Sequence, residues 1–283
     1  SVAFFGNEIE SISCSTFAEA LKNTENDSSD YSVLPVENSL EGSVGESNDL
    51  LLETSLNAIG EIYYRIRHCL IGTGSIGDID TIYSHPQALG QCRQLIQEHS
   101  FKTIPSYDTA GSVKIIKDLN KDNIACIASD SAAKIFGIPI IQEGVEDNLN
   151  NYTRFLVFSK VKNEKTENSK TSIIFSVKHE AGALYNIINE FYQYKINLTK
   201  IESRPNRNTP WEYNFYVDFE GHQNDSMIKE MIQKLRDNTT DNLPQVYPDG
   251  IDMVIVNGKI VIENENHTKK MPGKLIESAL RKM

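Results

Sequence analysis

No apolar run in this chain of 283 residues is long enough to cross a bilayer, and its first residues, Ser1-Val2-Ala3-Phe4-Phe5-Gly6, lack the basic region of a secretory signal. Positive charge is in deficit: 28 basic residues against 39 acidic ones give a formal net charge of −11. Nucleic acid needs a basic face, so that class of partner is disfavoured, and an anionic substrate must be held by local donors against a repulsive overall field. Cysteine is scarce. Cys14, Cys69, Cys92 and Cys126 contain no Cys-x-x-Cys pair, and the six histidines form no ligand-spaced cluster. Both facts argue against a metal site, and the scattered thiols suit a reducing cytoplasm. The charged and apolar fractions are those of a globular protein, with length for about two domains.

The chain is organised around Asn150-Asn151-Tyr152-Thr153-Arg154-Phe155-Leu156-Val157-Phe158, a polar loop that becomes an apolar strand. Thr153 and Arg154 bring a hydroxyl and a guanidinium to the edge of a core, where both need partners. Pairing of Arg154 with Glu37 or Asp147 is one reading of that need, and a ligand site is the other. Upstream, residues 2–22 read as the end of a helix, a short strand and a helix starting at Thr16. Tyr31–Val36 reads as a buried strand feeding the polar stretch Glu37-Asn38-Ser39-Leu40-Glu41-Gly42-Ser43-Val44. Such a loop after a core strand is where open α/β sheets place ligands, although Asn38 and Ser39 equally suit a turn and a cap. Ile62–Ile71 reads as one strand.

Three strand-to-helix junctions then follow: Ser84-His85-Pro86-Gln87, Tyr107-Asp108-Thr109, and Ala128-Ser129. Ser84 is the expected cap of the first, with Gln87 and Gln91 on one helix face. Amide and backbone donors at these junctions suit an anion without formal positive charge. Residues 161–170 form a charged linker. Beyond it the order is strand, helix, strand, strand, helix, which wants one last strand to complete a split ferredoxin-like plan.

Four motifs together carry a family resemblance: Pro-Val-Glu-Asn-Ser at 35–39, Ser-His-Pro-Gln at 84–87, Asn-Tyr-Thr-Arg-Phe at 151–155 and Glu-Ser-Arg-Pro at 202–205. In this order they resemble prephenate dehydratase followed by an ACT regulatory domain. The resemblance implies an α/β chain with a bilobal, periplasmic-binding-protein-like catalytic domain over 1–160 and a ferredoxin-like βαββαβ ACT domain over 171–240. Lobe 1 would take about 1–78 and 152–160 and lobe 2 about 79–151, which puts Thr153 at the hinge. The implied reaction is decarboxylative dehydration of prephenate to phenylpyruvate, on the way to L-phenylalanine. Aromatisation drives it, so no cofactor, metal or covalent nucleophile is expected.

By position, the catalytic residues implied are Thr153, Asn38, Ser84 and Gln91, with Glu37, Ser39, Thr109 and Arg154 as further substrate contacts. Thr153 is the expected donor to the leaving hydroxyl. The implied phenylalanine site takes Gly182, Ala183, Leu184, Glu202, Ser203 and Arg204. Prephenate as substrate, L-phenylalanine as effector and a homodimer or homotetramer with paired ACT domains complete the expectation.

Two stretches depart from the family pattern. Family members begin with a strand and a Gly-rich loop, whereas this sequence begins where the following helix would be ending. A non-catalytic phenylalanine sensor is therefore the alternative reading. The stretch 241–283, with Asn257-Gly258 between β-branched runs, reads as a hairpin and resembles the C-terminus of amidohydrolases such as D-aminoacylases.

Overall fold

A computed structural model describes the chain except for residues 1, 7, 163–164, 178, 207–210, 239–254, 258–261, 264–265 and 268–283. Two compact units divide it: Ser1–Tyr64 with Thr153–Met283, and Arg65–Tyr152.

The first unit opens with α1 (Val2–Phe5), α2 (Phe17–Glu25), β1 (Ser32–Asn38), β2 (Gly42–Ser43), α3 (Gly45–Leu50) and β3 (Asn57–Arg65). Helix α2 starts at Thr16, whose hydroxyl accepts the Glu19 N–H while the Glu19 carboxylate accepts from Ser15. The short strand expected before it is absent; the described residues between α1 and α2 are irregular.

The second unit holds β4 (Cys69–Ile71), β5 (Thr81–Ser84), α4 (Pro86–Gly90), α5 (Arg93–Glu98), β6 (Lys102–Pro105), α6 (Thr109–Leu119), β7 (Ile124–Ala128), α7 (Asp130–Phe136) and β8 (Ile140–Glu143). The single strand expected over Ile62–Ile71 is two strands in different sheets. The chain leaves β3 at Arg65, the Ile66 N–H goes to the Asn151 carbonyl, and pairing resumes at Cys69. The sheet order is β6-β5-β7-β4-β8, with β5 parallel to β6 and β7 and β4 antiparallel to its neighbours. Every residue of β7 is buried, because helices cover both faces. Leu70, Ala125 and Ile127 pack with α4 and α5, while Ile71, Cys126 and Ala128 pack with α6 and α7.

The chain re-enters the first unit through β9 (Tyr152–Ser159), then forms β10 (Lys170–Ser176), α8 (Ala183–Gln193), β11 (Leu198–Pro205), β12 (Tyr213–Glu220), α9 (Ser226–Asn238), β13 (Ile255–Asn257), β14 (Ile262–Glu263) and β15 (Asn266–His267). Strand β9 lies in the sheet β2-β1-β9-β3. Strands β10 to β13 form an antiparallel sheet of order β11-β12-β10-β13. Its Ile173, Phe175, Val217 and Phe219 pack against α8 and α9. The other face, through Ile174 and Tyr216, joins the core of Leu34, Val36, Leu156 and Phe158. The expected hairpin about Asn257-Gly258 turns on residues that lie outside those described; of its neighbours, β13 pairs with β10 and β14 with β15. The remaining motifs of the 241–283 stretch lie outside those residues.

Candidate active site

Strands β1 and β9 run antiparallel, with Leu34 opposite Leu156 and Pro35 opposite Phe155. One residue further the register slips: Glu37 faces Arg154 and Asn38 faces Thr153, leaving Val36 as the extra residue of a bulge. The slip changes which side chains share a face. Without it, Asn38 would follow Leu34 and Val36 onto the face that packs against β10 and β12. With it, Asn38 joins Thr153, and Glu37 joins Arg154 on the opposite face.

Asn38 is buried, and its Oδ1 accepts the backbone N–H groups of Leu40 and Glu41, both at 3.0 Å. That turn fixes the carboxamide, so Nδ2 must donate, and it does so to Thr153 Oγ1 at 3.0 Å. The Thr153 oxygen thus already accepts a hydrogen bond. Its own proton has no acceptor among the described residues and remains available to a bound molecule. Ser39 is exposed beside the pair.

Arg154 does different work. It is buried, its Nε donates to Glu61 at 2.8 Å, and its Nη1 pairs with Asp218 and lies 3.7 Å from Glu37. Burial opposes its charge, but Asp218 and Glu61 more than offset that and raise its pKa above the ordinary guanidinium value. Lys170 adds a second tie to Glu61 at 2.8 Å, and Ser172 donates to Asp218. Nε and Nη1 of Arg154, which was expected to touch substrate, are thus engaged inside the protein. The guanidinium is spent on buried carboxylates on the face away from Thr153, and Asp147, the other partner considered, caps the Arg93 and Gln94 N–H groups.

In the second unit, Gln91 closes α4, and its Oε1 accepts from Asn151 Nδ2 at 3.0 Å and meets His68 Nε2 at 2.9 Å. Two donors on one amide oxygen set the orientation and leave the Gln91 NH₂ group turned away from them, with no partner among the described residues. Sequence reading missed His68 as the orienting group. Nothing in its local pattern marks it, although Asn151 sat inside the recognised motif.

Ser84 is fully buried and donates to the Ile127 carbonyl at 2.6 Å. The expected cap is instead His85, whose Nδ1 accepts the Gln87 N–H at 3.2 Å. Thr109 stands half-buried at the first position of α6, behind the capping carboxylate of Asp108.

The expected effector residues separate by face. Ser203 pairs with Phe215 on the face covered by α8, where Leu184 packs. Gly182 sits before α8 at φ +87°, in the left-handed region that glycine adopts without a Cβ penalty. Glu202 and Arg204 pair with Tyr216 and Asn214 on the other face. There Glu202 accepts from Ser43 at 2.6 Å, and Arg204 forks onto Asp49 at 2.9 and 3.1 Å.

The prephenate dehydratase family model matches residues 1–163. The chain belongs to the prephenate dehydratase family. A prephenate dehydratase of Methanocaldococcus jannaschii is 38% identical over 240 residues, covering 83% of this chain and 86% of that protein. A bifunctional chorismate mutase/prephenate dehydratase of Aquifex aeolicus is 38% identical over 239 residues. Those residues cover 83% of this chain and 66% of the Aquifex protein, so the chain spans just under two thirds of that relative. Among solved structures, a prephenate dehydratase of Arthrobacter aurescens in complex with L-Phe matches with a TM-score of 0.77 at 25% identity, covering 94% of this chain and 84% of that one. Among the described residues no group of side chains is arranged to hold a metal ion, and no helix is long and apolar enough to cross a membrane.

Proposed function

We propose that the chain converts prephenate to phenylpyruvate by decarboxylative dehydration and is regulated by L-phenylalanine. The observation that carries the reading is the Asn38–Thr153 pair. Asn38 takes the threonine oxygen as its acceptor and so directs the threonine proton outward, as a donor to a leaving hydroxyl must be directed. An alcohol is too weak an acid to surrender that proton fully near neutral pH. Thr153 therefore polarises the C–O bond by a hydrogen bond while carbon dioxide leaves and the ring becomes aromatic. The hydroxyl departs as water once a solvent proton has been delivered.

Gln91, with its oriented NH₂, and Thr109 supply neutral donors to the substrate, a hydrogen bond to a charged group contributing about 1.5–3 kcal/mol. In a chain this acidic, neutral donors built into the site avoid reliance on a favourable long-range field. Ser84, whose proton is already spent on Ile127, serves to hold the end of β5.

The segment from β10 onward acts as the regulatory ACT domain, with phenylalanine held by Gly182, Ala183 and Leu184 at the start of α8 and by Ser203 on the same sheet face. Homo-oligomers form through this sheet. Strand β11 is its edge in the described residues, and Ile201 and Tyr213 beside that edge are exposed.

The test is phenylpyruvate formation from prephenate by the purified chain, with and without phenylalanine. Turnover that phenylalanine alters supports both parts. Phenylalanine binding without any turnover would leave a binding module and reject the enzymatic reading.

A further inference from the structure

Strand β11 presents three alternate side chains to the segment that carries Glu37, Asn38 and Ser39. Lys200 Nζ lies 3.8 Å from Glu37, Glu202 accepts the Ser43 hydroxyl at 2.6 Å, and Arg204 grips Asp49 through Nε and Nη2. The three are even-numbered positions of one strand and so share one face, while Ile201, Ser203 and Pro205 point the other way. Their partners climb the first unit in the same order: the end of β1, then β2, then α3.

The fit at Arg204 is close. A Cβ on Gly45 would lie 2.6 Å from its Nη1, so the glycine leaves room for the guanidinium beside the start of α3. Lys200 is 9% exposed, and Asp49 and Arg204 are largely buried as well, at 15% and 25%. Three polar ties along one strand, at a spacing the strand itself sets, hold residues 37–49 in register with β11.

We propose that this even face of β11 is a positioning device: Lys200, Glu202 and Arg204 hold the 37–49 segment, and with it Asn38 at Thr153, and carry the effect of a ligand on the odd face to the reacting groups. The inference rests on the reading of Asn38 and Thr153 as the reaction site and of β11 as part of a phenylalanine site. It also gives Glu202 and Arg204 a role other than ligation. A shift of β11 driven by a ligand against Ser203 moves three anchors of one segment together.

Ser43→Ala and Asp49→Ala remove two ties from the segment side without touching β11 or the proposed effector residues. The double variant is compared with the parent chain in three measurements: phenylalanine affinity by calorimetry, the ratio of kcat/KM for prephenate without and with saturating phenylalanine, and amide hydrogen exchange of residues 37–49 with and without phenylalanine. The device predicts that the double variant binds phenylalanine within about twofold of the parent while the kcat/KM ratio collapses to within about twofold of one. The exchange response at 37–49 is lost with it.

A double variant that keeps the parent's ratio and exchange response overturns the device and leaves the ties as packing. The exchange arm stands apart from turnover. A parent chain that turns nothing over but shows the exchange response rejects the proposed reaction and retains the device. A parent chain with no exchange response to phenylalanine rejects the device whatever its turnover.

Discussion

Replacing Arg154 by Met removes the charge on which two buried carboxylates depend. In the parent chain the guanidinium pairs with Asp218 and donates to Glu61 at 2.8 Å, and the three side chains are 7%, 9% and 1% exposed. After the change Glu61 keeps Lys170, but among the described residues Asp218 keeps only the Ser172 hydroxyl. Breaking a buried pair from one side typically costs about 3–5 kcal/mol, because the remaining charge is stranded out of water. For a chain of this length, each kcal/mol lowers Tm by roughly 2–4 °C, so a fall on the order of 10 °C is expected. Thermal unfolding followed by circular dichroism measures it. The double variant Arg154→Met with Asp218→Asn removes the stranded charge and should recover part of the loss, a coupling of at least about 1.5 kcal/mol in a double-mutant cycle. An Arg154→Met chain melting within about 2 °C of the parent, or additive effects in the cycle, would refute the stranded-charge account.

Gln91→Leu removes an oriented donor and is expected to raise KM for prephenate by about tenfold, the loss of one hydrogen bond to a charge, with kcat changed far less; steady-state kinetics with KM unmoved would count against it. Gly182→Ala places a Cβ on a backbone at φ +87°, a strain of about 1–2 kcal/mol, and should lower both Tm and phenylalanine affinity by calorimetry. Cys126 is pushed up to about 12 by burial, which outweighs a hydrogen bond from Ser112, and burial raises Cys69 and Cys92 as well. A thiol reagent at pH 8 should therefore titrate Cys14 quickly and the other three only on unfolding; a second fast thiol in the native chain would contradict this.

Much of the architecture was legible because it rests on local pattern. The apolar runs at 32–38, 124–128 and 152–159 are strands, and the polar junctions at Asp108 and Ser129 are capped helix starts. The strand–helix–strand–strand–helix order after residue 170 followed from periodicity in the same way. What escaped was set by contacts distant in sequence. The break at residues 66–68 depends on Asn151, and no turn signal within Ile62–Ile71 announces it. The bulge at Val36 shows only in the register between β1 and β9, yet it decides that Asn38 meets Thr153. Arg154 was seen to need a partner, but its strongest ones, Glu61 and Asp218, lie 93 and 64 residues away. A charge inside the apolar strand Ile59-Gly60-Glu61-Ile62 was the one sequence sign that a buried cation awaited it.

The most direct test of the account is the turnover of prephenate by Thr153→Ala beside Thr153→Ser, each with its substrate affinity measured. If the threonine proton polarises the leaving hydroxyl, the alanine variant loses a factor of about 10²–10⁴ in kcat while still binding prephenate, and the serine variant retains most of the rate. An alanine variant that turns prephenate over at close to the parent rate would contradict the assignment at its centre.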